Sequence, residues 1–418
     1  MSPSHRPDQH PDVTHSPEPP ARSTTRSTTR STSPTHPAGS SATAALVVTA
    51  LLVLTQLYAA IPLLAPISAD LHGSATVALS TAFSLTYAAG FLIWGPVSDH
   101  YGRRRTMALA LGTLAVSTVC CALTPSLPAL AALRAIQGLS ASGFAPVALA
   151  YLSEALEPRR RAGAIGAMST SFLVAGIFGQ VLASLVALHL GWRWFFPLCG
   201  GLLAVALAAV LAVVHDTASG SSASSLRGQF ASLGRLALQP AVLALSLAHV
   251  TLLMVFVAMY TGIGGHLESL GMRPSMIILI RLAALPVMFL SLVAGRLAAR
   301  WSWAQIARLG FGVSALGMLG EAVLAGSLAG LVAGSIVYVA GVGLAVPAMI
   351  SLYGQVSAPN RGSGMALNGF VLFVGTSAGP LLATSSPAFR TLALTLTGVL
   401  AVALAAITGF KALADADR

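Results

Sequence analysis

Charged side chains are the scarcest feature of this sequence, at 8% of its 418 residues. A water-soluble domain carries about 25%, so the composition excludes that class of protein. Three stretches without any charged residue, 31–69, 71–98 and 322–360, each exceed the about 20 residues that a helix needs to cross the hydrocarbon core of a bilayer. Apolar residues make up 55% of the chain, and the mean hydropathy is +0.80. These values predict an all-α polytopic membrane protein.

Other absences narrow the function. The three cysteines, Cys120, Cys121 and Cys199, lie in or at the ends of apolar segments, where an apolar role is expected rather than a disulfide or a metal site. The sequence has no G-x-x-x-x-G-K-[ST] phosphate-binding loop, so ATP-driven transport is unsupported. No nucleophile elbow, metal-spaced His and Cys set or pair of acids falls at membrane depth. We therefore expect neither an enzyme nor a protein with a metal or an organic cofactor.

Glycine, proline and charge clusters divide the apolar part of the chain into segments of membrane-spanning length. Twelve spans are predicted, near 43–66, 76–97, 106–124, 128–152, 163–189, 194–214, 238–262, 275–295, 304–325, 328–352, 363–383 and 391–410.

The basic residues predict the orientation of these spans. Of the 23 lysines and arginines, 18 fall in the two termini, the central loop and the loops on one side, with Arg308 counted there because it lies in the first turns of the span that follows such a loop. Three others (Arg193, Arg273, Arg390) fall on the opposite side, and two (Arg134, Arg281) fall deeper inside spans. By the positive-inside rule both termini are cytoplasmic. Topology thus explains the formal net charge of +11, and no nucleic-acid partner is expected.

An internal repeat divides the spans into two sets of six. A shift of 200 residues places Gly95 on Gly295, Gly143 on Gly343, Arg161 on Arg361, and Gly179 on Gly379. Parallel repeats of this kind hold substrate near the membrane midplane between two bundles. The predicted domains are a disordered cytoplasmic tail (1–41), an N-terminal six-helix bundle (42–214), a cytoplasmic linker (215–236), a C-terminal six-helix bundle (237–411) and a cytoplasmic C-terminus (412–418).

The loop between spans 2 and 3 reads GPVSDHYGRRR, residues 95–105. It resembles the signature loop of the major facilitator superfamily. Further matches are Arg134-x-x-Gln137-Gly138 in span 4, Glu154 followed by Arg161, and GWRWFF at 191–196. The resemblance covers residues 43–410 and is to the bacterial twelve-helix drug and sugar efflux permeases. It implies the two-bundle major facilitator fold and transport by alternating access.

The resemblance also implies a gating function for the matched loop. Asp99 can pair with Arg103 or Arg104 across a turn that glycines leave sterically open, which predicts a brace that holds the bundles together on the cytoplasmic side. The alternative is that the charges of this loop only set the membrane topology. An aspartate, however, adds nothing to the positive-inside rule, which counts only Lys and Arg. The predicted gating set is Gly95, Asp99, Gly102, Arg103, Arg104, Glu154 and Arg161.

Four residues are predicted to couple transport to protons. A charge inside the membrane usually faces a bundle interior, and the resemblance implies a coupling role for Arg134 with Gln137 and Gly138. A structural arginine that extends to the interface is the alternative. His249 in span 7 can titrate near neutrality, or can be satisfied by a neighbouring hydroxyl. Glu321, near the outer end of span 9, is interpreted as mostly interfacial.

Polar side chains inside apolar spans define a candidate substrate cavity, which suits a weakly polar or amphiphilic ligand. They are Gln56, Tyr58, Tyr260, Arg281, Tyr338 and Asn368. Arg281 either attracts an anionic substrate or reaches the outer interface.

The fifth span of each half carries small residues that let helices approach closely. The positions are Gly176, Gly179 and Gln180 in the first half, and Gly375, Gly379 and Pro380 in the second. In efflux antiporters of the resembled family a proline is expected where Gln180 stands. Core packing alone is an alternative explanation of the glycines.

The sequence thus predicts a secondary transporter that exports drug-like or sugar-like small molecules from a bacterium in exchange for protons. It is expected to act as a monomer in the cytoplasmic membrane. The alternative is a symporter or uniporter that imports a small metabolite, since no acid is predicted in spans 1 or 4 and Gln180 departs from the antiporter pattern.

Overall fold

The computed structural model describes residues 40–215, 226–273, 276–357 and 361–416. The first 39 residues of the predicted tail and residues 216–225 of the predicted linker lie outside these ranges. The described helices are α1 Ser40–Tyr58, α2 Ala60–Asp70, α3 Ala82–Tyr101, α4 Arg103–Cys121, α5 Leu127–Ala141, α6 Ala145–Ala155, α7 Pro158–His189, α8 Phe195–Val213, α9 Leu226–Ala237, α10 Pro240–Ser269, α11 Met276–Ala284, α12 Leu290–Leu297, α13 Trp303–Val323, α14 Leu328–Val356, α15 Arg361–Ser385 and α16 Phe389–Ala416. A π-helical segment, Thr76–Thr81, precedes α3, and 3₁₀ segments lie at Trp192–Trp194 and Pro286–Phe289.

Eleven segments of the described chain are long and apolar enough to cross a membrane, and they match eleven of the twelve predicted spans. The remaining span, predicted at 106–124, is the helix α4. Because α4 begins with three arginines and ends at Cys121, any part of it that is long enough to cross includes charge. It packs against α8 and α5, so it completes the first set of six.

The helix contacts repeat between the two halves. In the first half α1 packs against α7 and α4 against α8; in the second half α10 packs against α15 and α13 against α16. These are the same pairs of spans, the first with the fifth and the third with the sixth. The chain is therefore an all-α membrane protein of two six-helix bundles, as the sequence predicts.

Three of the predicted spans are interrupted. The first is divided at Ala59 into α1 and α2, the fourth between Ala141 and Ala145 into α5 and α6, and the eighth at 286–289 into α11 and α12. A proline lies at or just after each break, at Pro62, Pro146 and Pro286. Proline has no N–H to donate to the preceding turn, and its ring crowds that turn, which accounts for the interruption of the regular α-helix.

The two halves meet mainly where α3 packs against α15, and to a lesser extent where α7 packs against α11. The hydroxyl of Thr81 donates to the carbonyl oxygen of Ser377 at 3.3 Å. The ring of Phe373 contacts Tyr87 and Phe91, at centroid distances of 4.4 and 5.3 Å. No sequence prediction included this aromatic contact between the halves.

The helix α9 was not predicted, because its segment was interpreted as part of a linker. It is an amphipathic helix that contacts α15 and α10. Arg235 lies in its last turn, and Leu236 is buried.

Candidate functional site

The loop after α3 is built around Gly102. Its φ of 93° is in the left-handed region that glycine adopts without strain. This conformation ends α3, where the Gly102 N–H donates to the Ser98 carbonyl at 3.1 Å, and starts α4, where the Gly102 carbonyl accepts from Thr106. Gly95, which was predicted to lie in the loop, lies within α3. A Cβ at Gly95 would meet nothing within 4 Å.

Two arginines of this loop connect α4 to other helices of the first half. Arg103 donates to the Glu154 carboxylate, with an Nη2–Oε1 distance of 2.8 Å, and also to the Ser98 hydroxyl. Arg104 donates to the Leu211 carbonyl at 2.8 Å. These contacts join α4 to α6, α3 and α8. The predicted pairing of Asp99 falls on a side chain outside the described part, as does that of Arg161. The described contacts join helices of the first bundle, and the brace between the bundles stays a prediction.

Arg134 is held entirely by its own bundle. It is 1% exposed, so it does not extend to the interface. Its Nε donates to the Leu79 carbonyl at 2.8 Å, its Nη2 to the Gln56 carbonyl at 3.0 Å, and its Nη1 to Oε1 of Gln137 at 2.8 Å. The guanidinium also lies 4.1 Å from the centroid of the Phe83 ring. All three nitrogens are used without a carboxylate partner among the described residues.

The other two residues of the motif complete this arrangement. Gln137 donates from Nε2 to the Thr118 hydroxyl at 2.7 Å, which extends the network from α5 to α4. A Cβ at Gly138 would collide with the Phe83 carbonyl, so α5 and α3 approach at this point only because residue 138 is glycine. The motif Arg134-x-x-Gln137-Gly138 is thus one packed unit between α1, α3, α4 and α5.

His249 is buried, and the partner of its ring is an amide rather than the hydroxyl that the sequence suggested. Nδ2 of Asn368 lies 2.9 Å from Nε2 of His249, which joins α10 to α15. The ring of Tyr353 lies 5.3 Å away. Nδ1 of His249 has no hydrogen-bond partner among the described residues.

The predicted cavity residues form three groups rather than one. Gln56 belongs to the Arg134 network through its carbonyl, and Asn368 belongs to the His249 pair. The third group is Tyr58, Tyr260, Tyr338 and Arg281. Within it the Tyr260 hydroxyl lies 3.1 Å from the Ser335 hydroxyl, and the Tyr338 hydroxyl donates to the Leu252 carbonyl at 3.4 Å.

Phe256 connects this third group across the two halves. Its ring centroid lies 5.8 Å from that of Tyr58 on α1 and 5.0 Å from that of Tyr260 on α10. A separate cavity of about 310 Å³ lies at the C-terminal ends of α10 and α15 and is lined by His266 and Phe389 among others. It includes none of the predicted cavity residues.

Arg281 points into the protein, so its predicted alternative at the outer interface is wrong. It is 0% exposed, and its Nη1 donates to the Ser184 hydroxyl at 2.5 Å. This hydrogen bond joins α11 to α7, across the two halves. Nε and Nη2 have no partner within the described part of the chain. Arg281 therefore presents two unused N–H groups inside the contact between the bundles.

Glu321 is also buried, which corrects the interfacial interpretation. It is 0% exposed, and neither carboxylate oxygen has a hydrogen-bond partner in the described ranges. A Cβ at Gly334 would lie 2.5 Å from Cγ of Glu321, and one at Gly317 would collide with the backbone of Tyr338. The glycines let α13 and α14 pack so closely that the glutamate lies between them.

This burial had a signal in the sequence. Gly310, Ser314, Gly317 and Glu321 follow one another at helical spacing on α13, and Gly334 and Gly341 do so on α14. A stripe of small residues predicts close helix approach, and an acid in register with the stripe belongs to the buried face. The position of Glu321 near the end of α13 predicted its environment less well than this stripe does.

The glycine motifs pack the same pair of spans in each half. Gly179 on α7 lies against Thr55 of α1, where a Cβ would meet backbone at 3.0 Å, and Gly379 on α15 lies against Met254 of α10, where it would meet a carbonyl at 2.7 Å. Gln180 donates to the Gly176 carbonyl at 2.6 Å, so it stays within α7. Pro380 lies inside α15.

Comparison with known proteins identifies the family. Residues 46–380 match the family model described as Major Facilitator Superfamily. An uncharacterized MFS-type transporter of Bacillus subtilis, YybF, is 30% identical over 140 residues, which are 33% of this chain and 34% of that protein. Multidrug resistance protein 3 of the same species is 28% identical over 118 residues, which are 28% of this chain and 23% of that protein. Each alignment thus spans about a third or less of the relative's length.

Solved structures share the fold at low identity. The human organic anion transporter MFSD10 has a TM-score of 0.66 and 18% identity, over 88% of this chain and 99% of that one. A point mutant of the nucleoside transporter NupG has a TM-score of 0.68 and 12% identity over the same shares.

Proposed function

Because the chain belongs to the major facilitator superfamily, we propose that it is a secondary active transporter that exports drug-like or sugar-like small molecules in exchange for protons. Membrane transport of a small molecule follows from the family. Export, proton exchange and the cytoplasmic membrane of a bacterium, with both termini inside, are the parts that we propose.

The observation that carries this proposal is the polar group buried where the halves meet. A parallel repeat binds its substrate near the midplane, between the bundles, and Arg281 on α11 donates a hydrogen bond to Ser184 on α7, across the two halves. Desolvating an arginine is expensive unless its donors are satisfied. Nε and Nη2 of Arg281 have no hydrogen-bond partner among the described residues. A substrate that brings a hydrogen-bond acceptor or an anionic group to these nitrogens should therefore bind most tightly.

The aromatic surroundings favour a partly apolar substrate. Tyr58, Phe256 and Tyr260 lie within ring contact of one another beside this region. Apolar walls with a few fixed polar groups are typical of small-molecule sites. We therefore expect amphiphilic compounds, and acidic ones most of all. The similarity to a multidrug resistance protein supports export.

Proton exchange is supported by titratable groups inside the membrane. His249 and Glu321 are both buried, and a buried group that changes charge is what couples a transport cycle to a proton gradient. Import by symport or uniport is the second candidate. It is favoured by Gln180, which stands where a proline is expected in the antiporters of the resembled family.

The test uses proteoliposomes that enclose a pH-sensitive dye. Ethidium, lactose and salicylate, as a cationic drug, a sugar and an aromatic acid, are added outside, and substrate uptake is measured in parallel. Antiport predicts that the interior becomes alkaline as substrate enters. Acidification would establish symport instead, and substrate entry without a pH change would establish uniport; either result overturns the proposal.

A further inference from the structure

The carboxyl group of Glu321 lies between two helices of one bundle, away from lipid. Glu321 is on α13, and its Cγ faces Gly334 of α14. It is fully buried, and neither oxygen meets a donor among the described side chains and backbone groups. An ionised carboxylate without a partner is strongly disfavoured in such a place. The neutral acid is the form that this conformation accommodates.

The groups that face Glu321 come from several helices. Tyr338 on α14 and Tyr260 on α10 both interact electrostatically with it. His266 on α10 donates to the Ala325 carbonyl, just after α13, at 2.8 Å. From α16, which also packs against α13, the charged residue at the outer end is Arg390, and it is exposed. The described part of the chain therefore supplies no cation that would hold Glu321 ionised.

A connection leads from Glu321 to the contact between the halves. Ser335, the neighbour of Gly334, hydrogen-bonds the Tyr260 hydroxyl at 3.1 Å. Tyr260 is in electrostatic range of both Glu321 and Arg281. Tyr260 therefore lies near both the Glu321 carboxyl group and the guanidinium that we assign to the substrate.

We propose that Glu321 is the proton-binding residue of the transport cycle, an inference that rests on the proposed exchange of substrate for protons. Its carboxyl group holds a proton while it is enclosed between α13 and α14. When the bundles rearrange and water from the inner side reaches it, the O–H bond breaks, the proton passes to that water and the carboxylate remains. Recapture of a proton from the outer side then allows α13 and α14 to close again.

The first test is chemical and needs no substrate. A hydrophobic carbodiimide partitions into the membrane and adds to protonated carboxyl groups, and mass spectrometry locates the adduct. On the wild-type protein the inference predicts an adduct at Glu321 and none at Glu268, an exposed glutamate near the end of α10. Absence of modification at Glu321, with the reagent shown to enter the membrane, would overturn it.

The second test is Glu321→Gln, which keeps the shape of the side chain but carries no exchangeable acid proton. It uses whichever of ethidium, lactose and salicylate moves protons in wild-type proteoliposomes. Proton movement should fall by about tenfold or more, while exchange of labelled for unlabelled substrate, which needs no net proton transfer, persists. Glu268→Gln is the matched control and should behave as wild type.

The outcomes separate this inference from the proposed function. Wild-type proton movement that persists in Glu321→Gln would overturn the role of Glu321 and leave antiport intact. Substrate uptake without proton movement in the wild type would overturn antiport itself. If Glu321→Gln does not fold, the carbodiimide result on the wild type decides.

Discussion

The two halves of the chain each place one ionisable residue at the same helix junction of their repeat, a base on one helix in the first half and an acid on the other helix in the second. With the 200-residue offset, Arg134 of α5 corresponds to Gly334 of α14, and Cys121 of α4 corresponds to Glu321 of α13. Arg134 acts electrostatically on Cys121, and Glu321 contacts Gly334. The same junction between the third and fourth span of a half thus holds an arginine in one half and a glutamate in the other.

The difference lies in how the two charges are satisfied. Arg134 donates to three oxygens and contacts the face of Phe83, so it is fixed in its charged form. Glu321 has no described partner for either oxygen, so its environment favours the neutral form. A fixed charge stabilises a bundle, whereas a group without partners is free to change its protonation. On the inference above, the first junction has a structural role and the second couples transport to protons.

The largest expected effect is that of Arg134→Gln. The change removes the donors of three buried acceptors and should lower the free energy of unfolding by about 3 kcal/mol, since a buried polar network loses one of its partners. Thermal unfolding in detergent measures this, with the exposed Arg390→Gln as control. An unchanged melting temperature together with lost proton coupling would break the comparison, because Arg134 would then be the coupling residue that the sequence predicted.

The second largest effect on stability is expected for Gly375→Ala. This change tests whether α10 and α15 in the second half pack as tightly as α1 and α7 in the first. The equivalent residue of the first half is Ala175, which is buried without difficulty. At Gly375 a Cβ would collide with the Val250 carbonyl, so we expect a loss of about 2 kcal/mol in the free energy of unfolding. Ala175→Gly is the reciprocal control and should cost less. Equal effects would show that the α10 and α15 contact is no tighter than that of α1 and α7.

A smaller effect on stability, and a selective one on transport, is expected for Arg281→Gln. Only the hydrogen bond to Ser184 is lost, so the melting temperature should change little. The KM for an acidic substrate such as salicylate should rise by about tenfold, while uptake of cationic ethidium is not reduced. Arg281→Lys, which keeps the charge, should retain part of the affinity. A large fall in melting temperature would make Arg281 a structural arginine like Arg134.

The smallest effect is expected for Glu154→Gln, which removes the ion pair with Arg103 at the start of α4. The Glu154 side chain is 42% exposed, and ion pairs in such settings contribute at most about 1 kcal/mol. A double-mutant cycle with Arg103→Gln measures the pair in the free energy of unfolding. A coupling several times larger would show that the loop, and not the buried Arg134 network, dominates the stability of the first bundle.

The sequence predicted the fold well because its main signals are simple. Uncharged stretches fix the spans, and the 200-residue repeat divides them into bundles. It predicted unbroken spans where Pro62, Pro146 and Pro286 interrupt helices, because a proline inside an apolar run does not lower hydropathy. It missed α9 because serine and glycine beside that helix suggested a linker.

The site was less predictable because it depends on which way side chains point. The Arg134, Gln137 and Gly138 motif was identified from its spacing, but its partners, the carbonyls of Leu79 and Gln56, are invisible in a side-chain pattern. Glu321 was assigned to the interface from its place near a helix end. The glycines that enclose Glu321 lie on α14. This helix follows α13 in the sequence and packs against it in the opposite direction.

The most direct test of this account measures proton release on substrate binding by titration calorimetry in two buffers of different ionisation enthalpy. The titrant is whichever of ethidium, lactose and salicylate is exchanged for protons by the wild type. We predict that the wild-type protein releases a proton when it binds, and that Glu321→Gln binds the same compound without proton release. Equal release by the two proteins would contradict the account, because the titrating group would then lie elsewhere.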